Sequence, residues 1–301
     1  MKITPGSLAS ELSRLNSPPE KPTEATKKDD AQAASSSRSA SSAKDRMVSL
    51  FARVGISPTL SASDNASRRQ VTERRRQIRE MQKIANLQAI LNIAVNVSVS
   101  DTQSENVDPD WFFAFCSMAE NIHSPAMQEL WGKIFAVEVS HPGSFSRRSL
   151  QTLESLTHRD ATLFSKAVSL ASRRTGDTVP RILVGYHVRK GLLTMLRKPV
   201  PEQLSIASFG LSYPDLLALQ DMKLLYASEI ESGEYHQGHR SHWRCGQQSF
   251  TLISQRAGVA LVYYKFTPTG AELSRLVGRL DNRDYLQAIK AVLNGPFRIE
   301  A

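Results

Sequence analysis

The sequence predicts an α+β protein, mostly α-helical, and three observations carry that expectation. Residues 68–99 contain no Pro or Gly and place Ile78, Met81, Ile84, Leu87, Leu91, Ala94 and Val95 at steps of three and four, one stripe of a long helix. Residues 109–170 repeat a pattern of helix-start residues followed by apolar stripes. Beyond Pro180 that periodicity gives way to alternating segments at 249–254 and 259–266, which read as strands. Four parts follow: an unstructured arm over residues 1–66, a basic amphipathic helix over 67–100, a helical domain over 101–176, and a mixed, winged-helix-like domain over 177–301.

Taken in order, the arm is rich in Ser, Ala, Pro, Lys and Asp, with SSSRSASSAK as its most biased piece. Such a segment buries too little apolar surface to offset its chain entropy. Within it, residues 47–54 (MVSLFARV) suit a turn or two of amphipathic helix, either transient or a docking segment. The long helix after it carries Arg68, Arg69, Arg74, Arg75, Arg76, Arg79 and Lys83 against Glu73 and Glu80. This basic lever fits a phosphate backbone, or else a solvated or protein-contacting face; no aromatic residue is interleaved to stack on bases.

In the middle domain, Asp108-Pro109-Asp110 starts a helix whose Trp111, Phe112, Phe115, Cys116 and Met118 read as core. Cys116 has no His or other base at helical spacing, so it reads as a small buried hydrophobe and not a nucleophile. Ser124-Pro125 starts the next helix, with Leu130, Trp131, Ile134 and Phe135 inward and Glu138 interrupting the stripe near its end. Pro142-Gly143 then stops it. Ser144 or Ser146 is placed to cap the following helix, and Arg147 or Arg148 projects nearby. An ion pair between Glu138 and Arg148 across this corner is the expected structural reading; the alternative gathers Glu138, His141, Ser144 and Arg148 into a pocket. A further helix begins near His158, a cap-region residue.

The last third holds an ambiguous segment at 181–196, a short helix at 213–221, a strand at 222–230, a hairpin from 249–254 and 259–266, and helices at 269–278 and 281–294. Helix, strand, hairpin and helix in that order suggest a winged helix. The 213–221 helix (YPDLLALQD) is acidic and apolar, which argues against its insertion into DNA. His236, His239, His242 and Cys245 lie within ten residues and are zinc-ligand types. Four ligands from one short loop strain to reach a tetrahedron, so the choice is between a polar loop and a zinc site; no other cofactor is suggested.

Trp131, Ala136, Glu138, then Pro142-Gly143-Ser144-Phe145-Ser146, Arg148 and Leu150, together resemble the hallmark of a bacterial family of uncharacterised proteins, domain of unknown function 2806, with conserved hypothetical members in gammaproteobacteria. Asp110-Trp111-Phe112, the Arg-rich helix, and Thr267-Pro268-Thr269-Gly270 with Glu272-Leu273 are similar too, so the resemblance covers residues 68–277 in pieces. The central motif is specific and the rest generic. The resemblance implies no activity and no catalytic residues.

The function classes follow from these features. A formal net charge of +9 suits an acidic partner such as nucleic acid or an anionic surface. Two cysteines, Cys116 and Cys245, and the absence of a signal-peptide pattern suggest a reducing, cytoplasmic setting. The longest apolar run, 89–99, is interrupted by Asn92 and Asn96 and falls short of the roughly 20 residues a bilayer span needs. The leading expectation is therefore a non-enzymatic cytoplasmic regulatory or interaction protein with a protein partner, of the phage-defence or mobile-element kind. The alternative is a nucleic-acid-binding protein using the basic helix and the winged-helix-like domain. A metal-dependent enzyme at the histidine loop stands third, and the oligomeric state is not legible.

Overall fold

The computed structural model describes residues 32–56, 65–97, 106–189, 203–278 and 280–300. These fall into two compact units, one holding residues 32–97 and 112–136, the other 106–111 and 137–300. Among the described residues no helix is long and apolar enough to cross a membrane.

The first unit is helical. Its elements are α1 (Gln32–Arg53), α2 (Asn65–Asn96) and most of α3 (Pro109–Ala119) and α4 (Pro125–Ser140). Much of the arm expected to lack structure, residues 1–31 and 57–64, lies outside the described residues; Gln32–Arg53 within it is helical. The reason is distribution: the prolines of the arm are at 5, 18, 19, 22 and 58, leaving residues 32–53 without a helix breaker. A side-chain bond from Gln82 Nε2 to the Arg53 carbonyl, 3.0 Å, joins α2 to α1.

One face of α2 is core. Asn86, Ile90 and Ala94 are buried, and Gly132 of α4 lies so close that a Cβ there would sit 2.6 Å from Ile93 Cγ2. Asn86 is the polar hub of this packing. Its Nδ2 donates to the Glu120 carbonyl at 2.8 Å and lies 3.2 Å from His123 Nδ1, while Gln128 Nε2 donates to its Oδ1 at 3.1 Å. A buried amide satisfied on both ends specifies register, because a slipped helix would strand it. Phe115 stacks on Phe135 at 5.1 Å and lies 5.3 Å from Trp131, making the aromatic centre of the unit.

The second unit is built on a seven-stranded antiparallel sheet: β1 (Ser172–Arg174), β2 (Arg181–Val188), β3 (Ile230–Glu231), β4 (Arg240–Cys245), β5 (Gln248–Ser254), β6 (Val259–Lys265) and β7 (Phe297–Glu300). Their order is β3-β6-β2-β1-β4-β5-β7. Helices α5 (Arg147–Ser155), α6 (His158–Ser169), α7 (Tyr213–Asp221), α8 (Pro268–Leu273) and α9 (Arg283–Leu293) accompany it.

This sheet corrects the hairpin expected from residues 249–254 and 259–266. The two segments read as one hairpin do not pair: β5 lies between β4 and β7, and β6 lies between β2 and β3. The burial pattern explains why. Val259–Tyr263 is buried at five successive positions, as a central strand covered on both faces must be, whereas β5 alternates from Phe250 onward. The strand expected at 222–230 reduces to a single bridge, Leu225 to Phe266, and the two residues of β3. The ambiguous 181–196 segment supplies β2; its residues after 189 lie outside the described set. Tyr285, Leu286, Ile289 and Leu293 of α9 form a buried face, and Tyr285 Oη donates to the Leu183 carbonyl of β2 at 2.8 Å.

Candidate functional site

The corner at 138–149 carries the central motif, and its geometry is set by a carboxylate. Glu138, in the last turn of α4, is 2 % exposed. Its Oε1 accepts the amide of Gly143 at 2.6 Å and its Oε2 the amide of Phe145 at 2.9 Å. A helix ends with carbonyls unsatisfied and its loop begins with amides unsatisfied; this one side chain satisfies two of the latter. Gly143 sits at φ 80°, the left-handed region that costs a side chain strain, and nothing else crowds it. Phe145 is buried, and its carbonyl accepts Trp111 Nε1 at 2.6 Å.

The expected Glu138–Arg148 ion pair does not form among the described residues. Arg148 is exposed, and the oxygens of Glu138 serve backbone amides. The partner that sequence reasoning missed is Glu272 of α8. Its Oε2 accepts the Ser146 amide at 2.6 Å and the Ser149 hydroxyl at 2.7 Å, while Arg275 Nη1 donates to the Ser144 carbonyl at 3.3 Å. Ser146 is the N-cap of α5, its hydroxyl accepting the Ser149 amide. Two carboxylates far apart in sequence, Glu138 and Glu272, thus hold one corner. Thr267 caps α8 and donates its hydroxyl to the Lys223 carbonyl at 2.5 Å, tying that helix to the turn after α7.

As chemistry the corner offers an anchor. Ser144 Oγ donates to the His141 carbonyl at 2.6 Å, so its proton is directed at the backbone and not at a base. Trp131 is fully buried, with no hydrogen-bond partner for its indole N–H among the described residues.

The other sequence-derived residues lie elsewhere. Arg69, Arg74, Arg75, Arg76 and Arg79 are exposed along α2, as is Arg68. Lys83 pairs with Glu120 at 2.6 Å, which raises the lysine above its ordinary range, the Glu120 hydrogen bond being the main cause. The histidine loop does not converge. His236 and His239 approach edge to face at 5.0 Å, but His242 is exposed on β4 with Nδ1 2.9 Å from Thr251 Oγ1, and Cys245 is buried on the opposite face of the same strand. A three-residue offset on a strand reverses the face. Among the described residues no cluster of three or more His, Cys, Asp or Glu is arranged to hold a metal ion. Burial pushes the thiols of Cys245 and Cys116 up, which disfavours the thiolate at both.

No curated protein and no solved structure matches this chain. A family model, described as a protein of unknown function (DUF2806), matches residues 70–290, a span that takes in the α2 face, the Glu138 corner and the Glu272 contact. The chain belongs to the DUF2806 family.

Proposed function

We propose that the protein is a non-enzymatic interaction protein whose helical unit docks a second α-helix along the outward face of α2, the second helix being that of another copy. One observation carries the reading. Met81, Ile84, Leu91 and Val95 are 71, 65, 47 and 76 % exposed, on the side of α2 opposite the buried Asn86, Ile90 and Ala94. With Gln88 between them they fall at 81, 84, 88, 91 and 95, the alternating three-four spacing of a coiled-coil seam. A helix that carried only one apolar stripe would need no second partner; α2 carries two. Gln88 at the centre supplies the polar seam position that sets register at some expense of stability. Isolated apolar surface residues need no explanation, but four in one register on one helix mark a contact surface.

Replacing Gln88 with Cys in the full chain and oxidising it tests the seam. A disulfide-linked dimer on a non-reducing gel supports the docking; its absence, with the parent's buried Cys245 and half-buried Cys116 as background, counts against it.

A second reading rests on a different stretch of the same helix. The exposed arginines from 68 to 79 share their stretch of α2 with two acidic residues, Glu73 and Glu80, a charge balance that suits nucleic-acid phosphates. Duplex binding that weakens on Arg74→Gln with Arg75→Gln and Arg76→Gln supports it; unchanged binding removes it.

A further inference from the structure

The sheet of the second unit has an open half that neither reading above uses. Strands β4, β5 and β7 send alternate side chains to opposite faces. One face is interior: Trp243, Cys245, Phe250, Leu252 and Phe297 are all buried, and Lys290 of α9 stands 5.2 Å over the Phe250 ring. The other carries Arg240, His242 and Arg244 on β4 and Arg298 with Glu300 on β7.

Cross-strand register places these side chains in adjoining rows. Arg240 pairs with Ile253, which pairs with Arg298; His242 pairs with Thr251, which pairs with Glu300; Arg173 of β1 pairs with Arg244. Three exposed arginines, Arg240, Arg244 and Arg298, therefore share the face with one carboxylate, Glu300. Glu300 is divided between Arg298 and Arg240, the latter at 3.3 Å, and Arg244 has no ion pair among the described residues. Arg173 donates to Ser274 Oγ at 2.9 Å, which fixes it at the β1 border of the same face. The strands hold this charge on a rigid grid: same-face neighbours along β4 stand about 6.7 Å apart and adjacent strands about 4.8 Å.

We infer that the open face of β4, β5 and β7 binds the phosphodiester backbone of a nucleic-acid duplex, without reading bases. Guanidinium forks match phosphate oxygens, and exposed arginines outnumber carboxylates here three to one. None of the exposed large apolar residues belongs to these strands, so the face has nothing to insert into a lipid surface. It also lacks an exposed Phe, Tyr or Trp on which unpaired bases would stack, which separates a duplex from a single strand. The inference concerns the sheet unit, so it stands or falls independently of the α2 seam and of the α2 arginines.

The experiment is fluorescence anisotropy of a short labelled duplex of arbitrary sequence with the full chain, over a salt series from about 50 to 200 mM. About three neutralised phosphates give a slope near −3 in log K against log salt. The variant carrying Arg240→Gln, Arg244→Gln and Arg298→Gln is expected to lose at least about tenfold in affinity at low salt and to flatten the slope by about 2 to 3. These side chains are exposed, so the variant should melt with the parent, and the melting curve confirms that it is folded. The variant with the three α2 arginines changed keeps the sheet-dependent part of the slope. No duplex binding by the parent at the lowest salt overturns the inference, and so does a folded triple variant that binds with unchanged affinity and slope. Equal competition by polyglutamate at matched charge also overturns it, assigning the face to acidic protein.

Discussion

Phe145 donates its amide proton to Glu138 Oε2 at 2.9 Å, seven residues back along the chain, while the amide of Gly143 donates to the other oxygen. The corner of the motif is therefore closed by one buried carboxylate on backbone amides, and not by an ion pair between side chains.

Glu138→Gln replaces one of two acceptors with an N–H donor facing another N–H. It should destabilise the fold by about 2 kcal/mol, since the amide left behind is buried. Arg148→Ala, at an exposed position, should stay within about 0.5 kcal/mol. Urea unfolding of both variants checks the contrast, and comparable losses would reinstate the ion pair.

Glu272 and Ser149 meet across 123 positions at 2.7 Å. A double-mutant cycle with Glu272→Ala and Ser149→Ala should return a coupling of about 1 kcal/mol, because each single change removes the same contact. Additive losses in thermal unfolding would mean that the two residues act separately.

Gly132→Ala should destabilise the helical unit by about 2 kcal/mol or more. The added methyl has no room, since Ile93 Cγ2 lies 2.6 Å and the Ile90 carbonyl 3.0 Å from its position. Circular dichroism melting of the variant tests this, and an unchanged transition would refute the close approach of α2 and α4.

The Tyr264 hydroxyl donates to Glu229 Oε1 at 2.7 Å, and its pKa is raised, chiefly by burial and then by that hydrogen bond. A folded pKa above the unfolded value means that the contribution is complete below about pH 10, the ordinary tyrosine value, and decays as pH climbs from there toward the folded value. Tyr264→Phe should therefore cost stability at neutral pH, with the gap to the parent narrowing only in strong alkali. A gap that narrows between pH 6 and 9, where about no tyrosine of ordinary pKa titrates, would contradict the assignment.

Local pattern explains what was legible beforehand. Asp108 accepts the Asp110 amide at 2.8 Å as a helix-start residue should, Thr157 and Asp160 form a capping box ahead of α6, and Trp111, Phe115, Trp131 and Ile134 are buried, because capping and 3.6-residue periodicity are written within a few positions. Strand partners are not. Nothing near Val259 says that it pairs with Val188 instead of with β5, and the apolar run that marks β6 as central fits one arm of a hairpin equally well.

At the site the same division holds. Glu138 was identified as the residue that breaks the α4 stripe, but its partners are backbone amides, which every residue type carries and no side-chain pattern can flag. Glu272 stood in a second motif segment whose role at the corner depends on a contact 126 positions away, at Ser146. The residues of the histidine loop are kept apart by strand geometry: His242 and Cys245 are close in sequence but occupy opposite faces of β4.

The central claim, that the outward seam of α2 docks a second copy, is tested most directly by solution mass. Sedimentation equilibrium of the full chain at micromolar concentration should give twice the 33.4 kDa chain mass, and the variant with Ile84→Lys and Leu91→Lys should give the single-chain mass while keeping its helical signal. A parent protein that sediments as a monomer throughout that range, or a variant that dimerises as the parent does, would contradict the account.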